Sequence, residues 1–268
     1  MGSKGTVLIA ASGAKALELS GGRTVPTGFY LDELSVPALT LIDAGYEIAL
    51  ATPNGVAPAM DARSEKVSRF GGDPEKLRRA LAFVRAHPSV LKPLGFGEAA
   101  SGRLESFAAL FIPGGHGPMA DLMTDPELGK ILRHFHETGK PTASLCHGPV
   151  ALLAALKRAA DYRRALASGD AEAAKKASSG WQYADYRMTV YSTEEEKSVE
   201  KNVFGGRLPF YAADALSGAG GLVENGPPRK PFTVRDRELI TGQNPASGQA
   251  LADALLGALR GKEGAVHA

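Results

Sequence analysis

The chain has 268 residues, 44% of them hydrophobic, with a formal net charge of +2 and one cysteine. That is enough apolar material for a full core, while a charge so near balance, without long like-charge blocks, argues against a dedicated nucleic-acid surface. One cysteine excludes an intrachain disulfide framework and a multi-cysteine zinc site, and no apolar run approaches the ~20 residues of a membrane span.

Thr6 to Ser12 is a buried-strand pattern; the apolar run there is too short for a signal peptide, so a cytoplasmic protein without membrane contact is expected. From Thr27 to Ala44 the apolar positions Phe29, Leu34, Val36, Leu39 and Leu41 permit a helix, with Gly45 at its C-terminal cap. Tyr46 to Thr52 is the next strand, so the unit predicts a parallel pair. Residues 56–105 break the rhythm: a capped helix starts at Asp73-Pro74, but its surroundings are rich in glycine, proline and charge, which reads as a lid-like insertion.

Strand character resumes at Phe107 to Ile112 and runs into Pro113-Gly114-Gly115-His116-Gly117. A second Asp-Pro start, Asp125-Pro126, opens a helix to Glu137. Pro141 to Leu145 is a short strand that stops at Cys146, before Gly148-Pro149 and an Ala/Leu run of helical character. Residues 158–187, with the lone Trp181, form a second insertion. Met188 to Tyr191 reads as a strand, Leu208 to Leu216 as a helix, Thr233–Arg235 and Glu238–Thr241 as a hairpin, and Gly248 to Leu259 as a last helix before a polar tail, Gly261 to Ala268, expected to fray. One large domain and two small ones are equally compatible with the length, and such alternation predicts an α/β fold, a three-layer α/β/α sandwich with ligands at the carboxyl ends of the strands.

A strand turning sharply into a helix lifts the residue at the turn out of the sheet and sets it at a helix N-terminus. For Cys146 this predicts a lowered pKa and a larger thiolate fraction, against the plainer reading of a small buried apolar residue. Gly114 and Gly115 can present backbone N–H groups as an oxyanion hole does, or simply turn the chain. His147 can contact the thiol or be structural, His116 can touch a substrate or pack its loop, and Glu33 matters only if it faces the thiol. His134 and His136, two apart on a helix, read as surface residues, and Glu194-Glu195-Glu196 as a solvated run. The glycine-rich loops lack a Walker lysine or Rossmann spacing.

Six segments in order resemble the ThiJ/PfpI superfamily, in the branch of glutathione-independent glyoxalases (glyoxalase III) and their chaperone-like relatives. They are Thr27-Gly28 with Glu33 and Pro37, Phe111 to Gly117, Ser144 to Pro149, Glu194 to Lys197, Pro209-Phe210 with Asp214, and Leu239 to Ser247. The resemblance implies a single domain over residues 1–268 with a mostly parallel, flavodoxin-like sheet and helical insertions. It implies Cys146 as nucleophile, a protonated Glu33 beside a thiolate, and His147 for proton transfer with an acidic partner, for which the motif favours Glu196 over Glu194 and Glu195. Gly114, Gly115 and His116 would line the oxyanion and substrate pocket. The implied reaction converts methylglyoxal or a related 2-oxoaldehyde to a 2-hydroxy acid without cofactor. Some relatives hold a metal through a histidine soon after the counterpart of Glu33; here that stretch is Ala38 to Leu41, so no metal is expected. A small aldehyde substrate, unfolded protein clients and a homodimer are the implied partners, with no nucleic acid and no membrane. A Cys-dependent peptidase or deglycase and a holdase or redox sensor are the competing functions.

Overall fold

The computed structural model describes residues 2–266, with side chains through Gly261. In chain order the strands are β1 (Thr6–Ala10), the hairpin β2 (Ala16–Glu18) and β3 (Thr24–Pro26), β4 (Glu47–Thr52), β5 (Leu94–Gly95), β6 (Phe107–Ile112), β7 (Thr142–Leu145), β8 (Arg187–Met188), β9 (Leu222–Val223), β10 (Thr233–Asp236) and β11 (Leu239–Gly242). The central sheet runs β10-β11-β7-β6-β1-β4-β5, with every pair parallel except β10 and β11. Its parallel core has the flavodoxin order, in which the chain reverses direction of travel between β1 and β6; ligands of such sheets lie beyond the carboxyl ends at that switch point.

Side chains alternate across the sheet with a period of two. Val7, Ile9, Ala109, Phe111, Ala143 and Leu145 pack on one face with Leu34 and Leu41 of helix Leu31–Asp43 and Leu251 and Leu255 of helix Gly248–Val266. Leu8, Ala10, Leu110 and Ile112 pack on the other, with Ile131 and Phe135 of helix Pro126–Glu137 and with Leu152 and Leu153. These residues are fully buried, and each leucine, isoleucine or phenylalanine removed from water contributes roughly 1.5–3 kcal/mol. The three-layer α/β/α architecture is therefore as the sequence implied.

Several boundaries differ from expectation. The first helix starts at Leu31, because Phe29 bridges to Met60 and Tyr30 is extended. Of the 56–105 segment, the later part joins the core: β5 pairs with β4, and Phe83, Val90 and Phe96 are buried. The earlier part, through the 3₁₀ turns Ala62–Ser64 and Val67–Phe70, lies near the thiol. The 158–187 segment forms helices Ala159–Ser168 and Ala171–Ser178 and an aromatic tail fastened to the layer beneath it. There the Trp181 indole donates to the Leu152 carbonyl at 3.0 Å and the Tyr183 hydroxyl to the Leu132 carbonyl at 3.3 Å.

The run after Cys146 winds as a 3₁₀ helix, Gly148–Ala155, buried at every position. The strand expected at 188–191 is confined to Arg187–Met188, since Thr189 and Tyr191 instead bond to Thr241 and Cys146. The helix expected at 208–216 is Ala212–Gly218. The last helix continues to Val266, so the tail expected to fray is helical up to there; His267 and Ala268 lie outside the described residues. His134 and His136 are not surface residues: both are partly buried, and His136 Nδ1 pairs with Glu238 at 2.9 Å. No helix among the described residues is long and apolar enough to cross a membrane.

Candidate active site

Cys146 follows directly on β7 with φ 60°, a left-handed backbone that a non-glycine residue adopts only when its surroundings enforce it. Here both its backbone groups are tied: its N–H donates to the Gly242 carbonyl at 2.8 Å, and its carbonyl accepts from the Tyr191 N–H at 3.0 Å. β11 on one side and the 189–191 segment on the other thus lock the turn. Gly148 completes it, since a Cβ there would lie 2.6 Å from the Ile112 carbonyl oxygen.

Helix Thr193–Val199 begins with a capping box in which Ser192 and Glu195 satisfy each other's backbone groups. Successive residues on a helix point about 100° apart, so the three glutamates diverge. Glu194 is exposed. Glu195 is buried and also accepts from Gln243, Asn244 and the Arg229 N–H, at 2.7–2.9 Å. Glu196 turns to two histidines: one oxygen accepts from His116 Nε2 at 2.8 Å and the other from His147 Nε2. The two rings stack with centroids 4.0 Å apart. Of the alternatives at 194–196, only Glu196 meets His147.

With Nε2–H committed to Glu196, the lone pair of a neutral His147 ring sits on Nδ1, and Nδ1 lies 3.4 Å from Cys146 Sγ. Burial, then the neighbouring His116, lowers the His147 pKa, so the ring is neutral near pH 7. Burial also works against charge on Glu196, but the two imidazoles outweigh it and hold the carboxyl well below the usual range. The result is an oriented base beside the sulfur, backed by a fixed anion.

Glu33 occupies the first turn of its helix and is fully buried against the same sulfur. Burial, then the Asp32 charge, pushes it up to about 8, opposed by the Cys146 thiol and the Gly115 N–H, so the carboxyl favours its protonated form at neutral pH. Neither of its oxygens has a hydrogen-bond partner of good geometry in the protein. The thiol itself departs from expectation. Burial, then Glu33, pushes Cys146 well above the ordinary thiol range, and these effects outweigh any benefit of the turn. The resting pair is carboxylic acid and thiol, both neutral.

Gly114 and Gly115 bring β6 against this pair. A Cβ at Gly114 would strike the Glu33 carboxyl and lie 2.6 Å from Cys146 Cβ; one at Gly115, whose φ is +85°, would strike the Gly28 carbonyl. A cavity of about 200 Å³ opens above the sulfur, lined by Tyr30, Glu33, Gly115, His116, Cys146, His147 and Tyr191 with Arg63, Lys66, Arg69, Val199, Val203 and Pro245. No residue of the 158–187 segment lines it. Tyr30, Arg63, Lys66, Arg69 and Tyr191 line this cavity without belonging to any motif of the sequence. The spacing of three among the cations, in a stretch that turns as 3₁₀ helix, was the available signal. Tyr191, stacked on His147 with centroids 4.7 Å apart, stood in the segment read as a strand.

His116, His147 and Glu196 also place their ligand atoms within 4.8 Å of one another, the kind of donor set that holds zinc. In this arrangement both Nε2 positions are spent on the carboxylate. The metal site considered from sequence concerns a different stretch, Ala38 to Leu41.

The DJ-1/PfpI family profile matches residues 24–258. The chain belongs to the DJ-1/PfpI family. Among its relatives, the protein/nucleic acid deglycase HchA of Escherichia coli O157:H7 is 25% identical over 251 residues, covering 92% of this chain and 78% of that one. Glyoxalase III of Candida albicans has a similar structure, at 22% identity and a TM-score of 0.70, covering 96% of this chain and 98% of that one. The Rapid Encystment Protein 24 KDa of Francisella tularensis matches at 20% identity and a TM-score of 0.70, covering 95% and 99%. These two likenesses establish the shared DJ-1/PfpI fold.

Proposed function

We propose that this protein is a glyoxalase III-type enzyme that converts methylglyoxal or a related 2-oxoaldehyde to a 2-hydroxy acid through a Cys146 hemithioacetal. The observation that carries this reading is the pair of opposed proton carriers at one sulfur: a protonated Glu33 and a neutral His147 whose free Nδ1 faces Sγ. A simple thiol hydrolase needs the base but has no use for a carboxylic acid with unengaged oxygens beside the nucleophile. A proton transfer between adjacent carbons needs both.

The steps balance within the substrate. As Sγ attacks the aldehyde carbon, its proton passes to His147 Nδ1 and on to the new alkoxide, giving the hemithioacetal. Neutral His147 then removes the proton from that carbon while Glu33 protonates the neighbouring carbonyl oxygen, giving an enediol. His147 returns its proton to the second carbon and Glu33 recovers one from the first hydroxyl, leaving a thioester. Water, activated by His147, releases the 2-hydroxy acid and Cys146 regains its proton. One carbon is oxidised and its neighbour reduced, so the electrons balance without an external oxidant.

The test is 2-hydroxy acid production from methylglyoxal by wild type, Cys146→Ala and Glu33→Gln. Turnover by wild type alone is expected; absence of wild-type turnover overturns the reading. A second reading, deglycation, is favoured by the similarity to the Escherichia coli deglycase. It predicts release of unmodified amine from a methylglyoxal-glycated lysine peptide faster than the free aldehyde is consumed.

A further inference from the structure

The cavity above Cys146 carries a charge imbalance that the steps above do not use. Its lining includes three cations, Arg63, Lys66 and Arg69, and one carboxyl, Glu33. Behind them, Asp61 pairs with Arg63 through both its oxygens, and Asp32 meets Arg69 at 3.5 Å through one. Lys66 is exposed and has no acidic partner among the described residues.

The three cations are held differently. Arg63 spends Nε and one terminal nitrogen on Asp61 and the Pro26 carbonyl, its guanidinium lies over the Phe204 ring, and its other terminal nitrogen makes no hydrogen bond among the described residues. Arg69 stacks on Tyr30, 4.5 Å from the ring centre, and keeps donors free beyond the single Asp32 contact. Burial works against its charge, but the neighbouring Asp32 carboxylate offsets this and keeps the guanidinium charged. Lys66 supplies three more donors at the rim. Deeper in, the Glu33 carboxyl is buried beside the sulfur with neither oxygen in a hydrogen bond of good geometry.

A neutral three-carbon aldehyde would engage only the inner end. Resting on the glyoxalase reading, we propose that Arg63, Lys66 and Arg69 bind an anionic group on the substrate, so that the preferred 2-oxoaldehyde bears a carboxylate or phosphate at the end remote from the aldehyde. The reacting carbon then sits at Sγ, its oxygens near Glu33, and the anionic tail reaches the rim, all within about 200 Å³. Removal of one unit charge from the rim changes the encounter for anionic substrates and leaves the chemical step in place.

The probes are a 2-oxoaldehyde with a propionate tail and its uncharged methyl ester, compared with methylglyoxal by kcat/KM. Wild type is expected to favour the carboxylate over its ester by about tenfold or more, with the preference shrinking as salt is added. Lys66→Glu, at an exposed and unpaired position, is expected to bring that ratio to about 1 or below, chiefly through KM of the carboxylate. Arg69→Gln is the second variant, expected to lower the same ratio. A wild-type ratio near 1, or a ratio that survives both substitutions, overturns the inference while leaving the glyoxalase reading intact. Turnover of none of the three aldehydes removes both.

Discussion

Glu196 holds His147 by its Nε2, and that single bond decides what the histidine can do for the sulfur. An imidazole donating from Nε2 presents a lone pair at Nδ1, 3.4 Å from Cys146 Sγ. The second oxygen of the same carboxylate is occupied by His116, so the anion is fully engaged and cannot swing away. Replacing Glu196 with glutamine keeps the shape but allows the amide to donate where only an acceptor works, favouring the wrong tautomer. Glu196→Gln is expected to lower kcat by about 10²–10⁴-fold with little change in KM. An activity within a few-fold of wild type would contradict this role.

The neighbouring glutamates separate structure from chemistry. Glu195→Ala would leave Gln243, Asn244 and the Arg229 N–H without their acceptor and open the capping box. It is expected to cost about 2–4 kcal/mol in stability. Glu194, exposed, is expected to tolerate alanine within about 0.5 kcal/mol. Denaturant unfolding of the two variants, with activity measured on the folded fraction, distinguishes these outcomes.

Glu33 sets a pH dependence whose sign is fixed. Its ordinary carboxyl releases a proton near 4.5, whereas in the folded protein it is pushed up to about 8. Between these values the folded state holds a proton that the unfolded state has lost. Stability from this group therefore falls as pH rises from about 4.5 to about 8 and is level beyond. Glu33→Gln is expected to flatten that slope and raise Tm by several degrees at pH 8. The same ionisation removes the acid proposed to protonate the substrate carbonyl, so the alkaline limb of kcat/KM is expected near pH 8.

Gly114 is a steric requirement. A methyl group there meets the Glu33 carboxyl and lies 2.7 Å from the Leu145 carbonyl oxygen, both in tightly packed surroundings. Gly114→Ala is expected to cost about 1–3 kcal/mol and to reduce turnover by displacing Glu33 from the sulfur. Unchanged activity with unchanged Tm would show that the two strand ends have slack.

Much of this architecture is legible in the sequence because its signals are local. The strand at 107–112 alternates sides of the sheet with a plain apolar run, the Asp-Pro starts cap their helices as written, and Gly45 ends the first helix in a left-handed turn. The site was legible to the extent that motifs stand at strand ends: Cys146, His147, Glu33, His116 and the glycine pair all meet. What could not be read is set by long-range contact. Whether Glu194, Glu195 or Glu196 faces inward depends on Gln243, Asn244 and His116, up to 80 positions away. The turn alone predicts a thiol that ionises easily, but burial of the sulfur, and then Glu33 brought in by another helix, reverse that direction. Leu94-Gly95 is too short and too glycine-rich to announce itself as a strand, and it joins the sheet only because β4 offers an open edge.

In the proposed mechanism the nucleophile rests as an uncharged thiol and is deprotonated by His147 only as substrate arrives. The most direct test is the ultraviolet absorbance of the Cys146 thiolate followed against pH, with Cys146→Ala as the blank. No thiolate signal is expected at neutral pH, and it is expected to appear only well above the ordinary thiol range. A titration complete below pH 7 would contradict it, and would mean that the turn, and not the base, activates the sulfur.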